Sequence, residues 1–251
     1  MNDTARASTH LSVDAVAHQH FATNFIRTAV CEVRFPTLFE LEDERPPAAF
    51  ARALRKEYPT YGTGQRVNVS AAAVAKTNTH VFKSRNGIWT VNLTSHTLSL
   101  ETSRYDSFVD FEARICLLIE ACSTFIDSDF FTRLGLRYVN ALPYDRAKIA
   151  EWINPSLADT LASGVYGEVS EFAQAIRGST EVGGYYFQHG IGADGTERTY
   201  GLDFDFYAEN VQVMDATSVV KSLHKRQFEM FMWTLGEKAK MHLLSAKASH
   251  A

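Results

Sequence analysis

Several chemistries are missing from this sequence. No run approaches the roughly 18 consecutive apolar residues of a membrane-spanning helix, which argues against a helical span. Cysteine is sparse: Cys31, Cys116 and Cys122 are odd in number, hold no CxxC spacing and sit among apolar neighbours. That pattern reads as buried free thiols in a reducing compartment, not as a disulfide framework. Basic charge is not in excess, with a net charge of −4 and a pI near 6.1. A basic stripe for phosphate-backbone binding is absent, so nucleic acid is not an expected partner. The opening "MNDTARASTH" is polar with no apolar h-region, so the chain reads as cytoplasmic. There is no HExxH or zinc-ligand spacing, no GxSxG and no glycine-rich phosphate loop, and "YGTGQ" lacks strand-to-helix context. No cofactor and no metal centre are expected.

What is present is an ordinary globular composition, 45% apolar and 22% charged, long enough for one large domain or two small ones. "TAVCEVRFP" reads as a strand with Cys31, Val33 and Phe35 on one face and Glu32 and Arg34 on the other. After the charged "ELEDERPP", the pair Pro46–Pro47 sits where a helix can begin, and "AAFARALRKEY" follows at helical spacing until Pro59. "GTGQRVNVSAAAVAKTN" reads as loop with a possible edge strand. "THVFKSR" and "IWTVNLT" flank Asn86–Gly87, a hairpin signal because both residues tolerate positive φ. "TLSLET" returns after Ser95–His96, and an apolar stripe from Phe108 to Phe125 marks a helix over about Ser107–Ile126.

The same order then recurs. "LGLRYVNAL" is a strand, "RAKIAEWINPSLADTLAS" is helical with a break at Pro155, and "VSEFAQAIRG", "GYYFQHG" and "RTYGLDFDFYA" are strands, the last two joined at Asp194–Gly195. One long helix is expected from about Ala216 to Leu244. The fold class is α+β: two pseudo-repeated β-α-β-β-β-α units, about 23–128 and 129–245, forming one curved, mostly antiparallel sheet of eight strands with helices on one face. Residues 1–22 read as a flexible lead and 246–251 as a tail.

Four segments, "AVCEVRFP", "FARALRKEYPTY", "LSLETSRYDSFVDF" and "FFTRLGLRYVNALP", cover roughly Ala29 to Pro143 in a specific order, and the C-terminal helix after "LDFDF" fits with them. In these segments the chain resembles a family of bacterial proteins of sporadic distribution and no established function. The second half is similar in layout more than in residues, and "FIRTA" stands where the family pattern has a proline pair. The resemblance implies an accessory role, linked to mobile or defence gene clusters, and carries over no catalytic residue.

If helices cover one sheet face, the other meets water, a ligand or a partner. That face is expected to hold Glu32, Arg34, Thr90, Asn92, Ser99, Glu101, Arg133, Arg137, Asp203 and Asp205. In "FFTRLGLRYVNALP", Leu134, Leu136, Tyr138 and Leu142 line one side and Arg133, Gly135, Arg137 and Val139 the other. Positions on one face repeat at roughly 7 Å, and Arg133 and Arg137 are two such steps apart. They could grip oxygens of a phosphate or carboxylate; the plainer alternative is cross-strand pairing with Glu32, Glu101, Asp203 or Asp205. Asp203 and Asp205 share a strand face and could hold Mg²⁺, though no third ligand is assignable. His189, beside "YYF", is the histidine placed to lie at a groove edge; the others read as surface or capping residues. "FEMFMWTL" is apolar around most of its helix, so it is either centrally buried or forms an interface through Met230 and Trp233, and thereby a homodimer.

The leading reading is a non-enzymatic binding module for a protein partner or a small anionic ligand. One alternative is a Mg-dependent enzyme acting on a phosphorylated small molecule inside a barrel- or tunnel-like sheet. Another is a structural subunit of a larger complex.

Overall fold

Alternation along the strands accounts for most of the architecture in the computed structural model, which describes residues 9–21, 23–43, 45–69, 74–194 and 197–245. Among these residues the elements run β1 (Ile26–Arg34), α1 (Ala48–Leu54), β2 (Thr60–Val69), β3 (Val74–Lys83), β4 (Trp89–Leu93), β5 (Thr97–Thr102) and α2 (Phe108–Ser123). They continue β6 (Phe130–Pro143), α3 (Ile149–Trp152), α4 (Pro155–Ala162), β7 (Phe172–Ser179), β8 (Gly184–Asp194), β9 (Glu197–Gln212), α5 (Ala216–Thr234) and α6 (Glu237–Leu244). The fold is α+β with one antiparallel sheet, in the order β2-β3-β4-β5-β1-β6-β9-β8-β7. The sheet is not closed, so the barrel-like chamber of the Mg-dependent alternative is not formed. No helix among the described residues is long and apolar enough to cross a membrane.

Among the described residues nine strands are present, the eight expected and the possible edge strand. The segment read as loop with a possible edge strand forms most of β2 and the start of β3, paired from Thr60↔Lys83 to Val69↔Val74. Glycines at 62 and 64 dilute the pattern of β2, and as an edge strand it needs only one paired side. The predicted long C-terminal helix is also two helices. At the break, a Cβ on Gly236 would collide with the Glu151 carbonyl, and its N–H donates to Trp152 O. Only glycine admits that approach.

The chain forms two compact units. Unit 2 comprises 27–138 and 207–221, and unit 1 comprises 1–26, 139–206 and 222–251. Their boundaries cut through β1, β6, β9 and α5. In unit 2, α2 starts at Ser107, whose side chain accepts from Asp110 N, a standard N-cap. Its Ile115, Leu118 and Ile119 meet Cys31, Val33, Leu98 and Leu100 of β1 and β5 around a small apolar void. The β3–β4 hairpin turns where the Asn-Gly pair predicts, but through a five-residue connection, 84–88, in which Gly87 has positive φ, +69°, and Asn86 does not. In unit 1, Asn154 caps α4 with Pro155 in its first turn, which splits the helical run there. Phe204 of β9 stacks on Phe187 of β8 at 4.7 Å and meets Phe231 of α5 edge-on.

The described part of the N-terminal lead is tied to unit 1. Leu11 N donates to Ser179 O, Arg226 donates to Leu11 O at 2.6 Å, and the His18 ring contacts His224 and Phe228. The tail and Gly195 of the Asp194–Gly195 turn lie outside the described residues.

Candidate functional site

Strand β6 has the two faces its sequence predicts: Leu134, Leu136, Tyr138 and Leu142 are buried, while Arg137 is exposed and Arg133 half-buried. In unit 2 the cross-strand register places Asn92, Ser99 and Glu32 in one row across β4, β5 and β1, and Thr90, Glu101 and Val30 in the next. Asn92 donates to Ser99 Oγ at 3.4 Å. Arg34 Nε donates to Glu32 Oε1 at 2.7 Å. Glu32 is in turn 3.8 Å from Arg133 Nη1, an ion pair looser than a directed hydrogen bond.

The Arg133 side chain is only 16% exposed, because it does not extend into water. It folds back along β6 over Gly135, where an added Cβ would lie 2.6 Å from Arg133 Nη1. The Tyr207 ring takes the guanidinium at 4.6 Å from its centroid, within cation–π range. Glycine beneath, tyrosine against and carboxylate beside therefore define the pose of one arginine. Tyr207 was missed in the sequence, and Gly135 was placed on the arginine face without its role beneath the guanidinium. Both signals were present: Tyr207 continues the alternation of "DFDFY", and Gly135 is the next residue on the arginine face. Cys31, directly before Glu32 on the opposite face, is a buried free thiol pushed up to about 12 chiefly by burial. Cys122 is likewise pushed up to about 12 by burial, and Cys116 is half-buried and free.

Arg34 and Glu101 lie on the same unit 2 face, Arg34 half exposed and Glu101 exposed. Asp203 and Asp205 belong to unit 1; both are half-buried, alternating with buried Leu202, Phe204 and Phe206. Among the described residues no three His, Cys, Asp or Glu side chains gather to hold a metal ion.

Two expectations change. His189 is buried at 2% exposure, not at a groove edge, since alternation puts it on the same face as Phe187. Its ring stacks on Phe187 at 5.0 Å, its Nδ1 is 2.7 Å from the Tyr200 hydroxyl, and burial pushes its pKa down to about 4. Met230 is 3% exposed and so is a core residue instead of an interface residue, whereas Trp233 is 40% exposed; the helix needs one buried stripe and turns Met230 into it.

No protein-family model matches this chain, and no curated protein does either. Fold and face together define an open-sheet α+β protein that carries an arginine–tyrosine stack on the polar face of one unit.

Proposed function

We propose that this chain is a non-enzymatic binding module, and that the polar sheet face of unit 2 receives an anionic group, a carboxylate or phosphate, through Arg133 with Arg137 beside it. The observation that carries the reading is the pose of Arg133 over Gly135 and against Tyr207. An arginine already held in place loses little rotamer freedom when it binds, and its planar fork matches a two-oxygen acceptor. Glu32, itself held by Arg34, is the internal carboxylate that an incoming anion displaces. The accessory role implied by the family resemblance fits a binding protein of this kind.

We also infer that the two halves are repeats. The strand order supports this: in the first half the last strand, β5, lies beside the first, β1, and in the second half β9 lies beside β6. Strand β2 is then an addition to the first half.

A melting screen against phosphate, nucleotides and dicarboxylates tests the binding reading. A ligand bound only by the native state raises its stability by mass action. Wild type is expected to gain stability with at least one of these anions, and Arg133→Gln/Arg137→Gln to gain none while remaining folded, at a cost of roughly 1 kcal/mol for the lost contact with Tyr207. No shift of wild type with any anion removes the small-ligand form of the proposal.

A further inference from the structure

We propose that the free edge of β7 joins two copies of this chain by antiparallel strand addition, β7 against β7. Strand β7 is a sheet edge, and its residues from Ala173 to Gly178 are exposed. Its outward hydrogen-bonding groups follow from parity. Thr180 N donates to Gly183 O where the β7–β8 hairpin closes, so with Gly178↔Tyr185 and Ile176↔Phe187 in register the even residues bond to β8. The odd residues point away. Ser179 agrees, because its carbonyl accepts from Leu11 N on the outer side. Ala173, Ala175 and Arg177 therefore present N–H and C=O groups outward, and among the described residues nothing pairs with them. The strand lacks the proline, lysine or bulge that usually blunts such an edge.

The sequence of β7 is complementary to itself in one register. With Gln174 opposite Gln174 of the second copy, Ala173 meets Ala175, Phe172 meets Ile176, and Glu171 meets Arg177. The odd pairs are then the hydrogen-bonded ones, as the outward parity requires. A Gln174 pair lies at the centre, small alanines flank it, an apolar pair follows on each side, and opposite charges close each end. Ile176, 42% exposed in the single chain, gains a neighbour. Leu11, seated on Ser179, limits the pairing to 171–177. The occupant this edge fits is a second copy of the same chain, related by a two-fold axis.

Sedimentation equilibrium of the full chain tests this. Wild type is expected to dimerise. Ala175→Pro removes one outward N–H and no bond to β8, a substitution edge strands tolerate, and is expected to be monomeric with its melting little changed. Glu171→Arg places like charges together at both ends and should weaken the dimer roughly tenfold, and Glu171→Arg/Arg177→Glu should restore it. A monomeric wild type overturns the proposal, as does a dimer that ignores all three variants. If Ala175→Pro does not fold, loss on charge reversal and recovery on the charge swap decide alone.

Discussion

The two units bury their polar groups differently. Unit 2 encloses His80, Ser95 and Thr102, whereas unit 1 encloses Asn140, Thr180, His189, His224, Gln227, Glu229 and Thr234. Each holds a histidine against a tyrosine of the neighbouring strand. His80 Nδ1 is 3.0 Å from the Tyr61 hydroxyl and its Nε2 is 3.3 Å from Leu41 O. A carbonyl only accepts, so Nε2 donates to Leu41 O and Nδ1 accepts the hydrogen bond that the Tyr61 hydroxyl donates. His189 has the same contact with Tyr200, but among the described residues its buried Nε2 has no partner. A short connecting turn, Phe39–Glu42, supplies the carbonyl in unit 2; in unit 1 the rings of Phe172 and Phe187 surround the histidine. One position is a satisfied network and the other an uncompensated burial, and the second is where stability should respond to conditions.

The largest expected effect is at the buried carboxylate of unit 1. Glu229, 1% exposed, pairs with Arg226 on α5. Glu229→Ala should cost roughly 2 kcal/mol in urea denaturation, because it removes the buried one of two carboxylates on a mostly buried guanidinium, which keeps Glu181 at 3.3 Å and the Leu11 carbonyl. In unit 2, Asp110 pairs with Arg114 at 3.2 Å but is 44% exposed, so Asp110→Ala should cost under about 1 kcal/mol. Equal losses would erase the contrast between the units.

Acid should act next. Burial holds His189 near 4, and burial with the neighbouring His18 holds His224 near 3, both below the ordinary 6.5. The unfolded chain then takes up protons first, so stability is full above about pH 6.5 and falls as pH drops towards the folded values. The loss can reach ~1.4 kcal/mol per pH unit for each histidine. His189→Phe should make the profile of melting temperature between pH 6.5 and 4 shallower; an unchanged slope would show that His189 does not contribute. The smallest contrast lies in the tyrosines. Tyr200→Phe removes the fully buried hydroxyl bonded to His189 and should cost about 1 kcal/mol, whereas Tyr61, 44% exposed, should cost less on Tyr61→Phe.

Period-2 patterning in β6 and β9 was legible because apolar residues recur at every second position over Leu134–Tyr138 and Tyr200–Ala208, where each of those positions is buried. Strand β2 was legible only as a possible edge strand, since Gly62, Gly64 and its polar residues dilute the alternation. The break at Gly236 depends on the Glu151 carbonyl, a distant segment that no local pattern announces. At the candidate site, the placement of Arg133 and Arg137 on the polar face of β6 could be read from alternation. The fold-back of Arg133 could not, because it requires Tyr207, 74 positions away in the sequence.

The most direct test of the binding account is an NMR titration that follows the side-chain Nε–H signal of Arg133. With added phosphate or dicarboxylate, that signal should move and saturate in wild type. In Gly135→Ala, whose methyl group occupies the space beneath the guanidinium, the saturable shift should be lost while the backbone spectrum stays folded. An Arg133 signal that follows ionic strength alone, or that saturates equally in Gly135→Ala, would contradict the claim that this arginine is positioned to receive an anion.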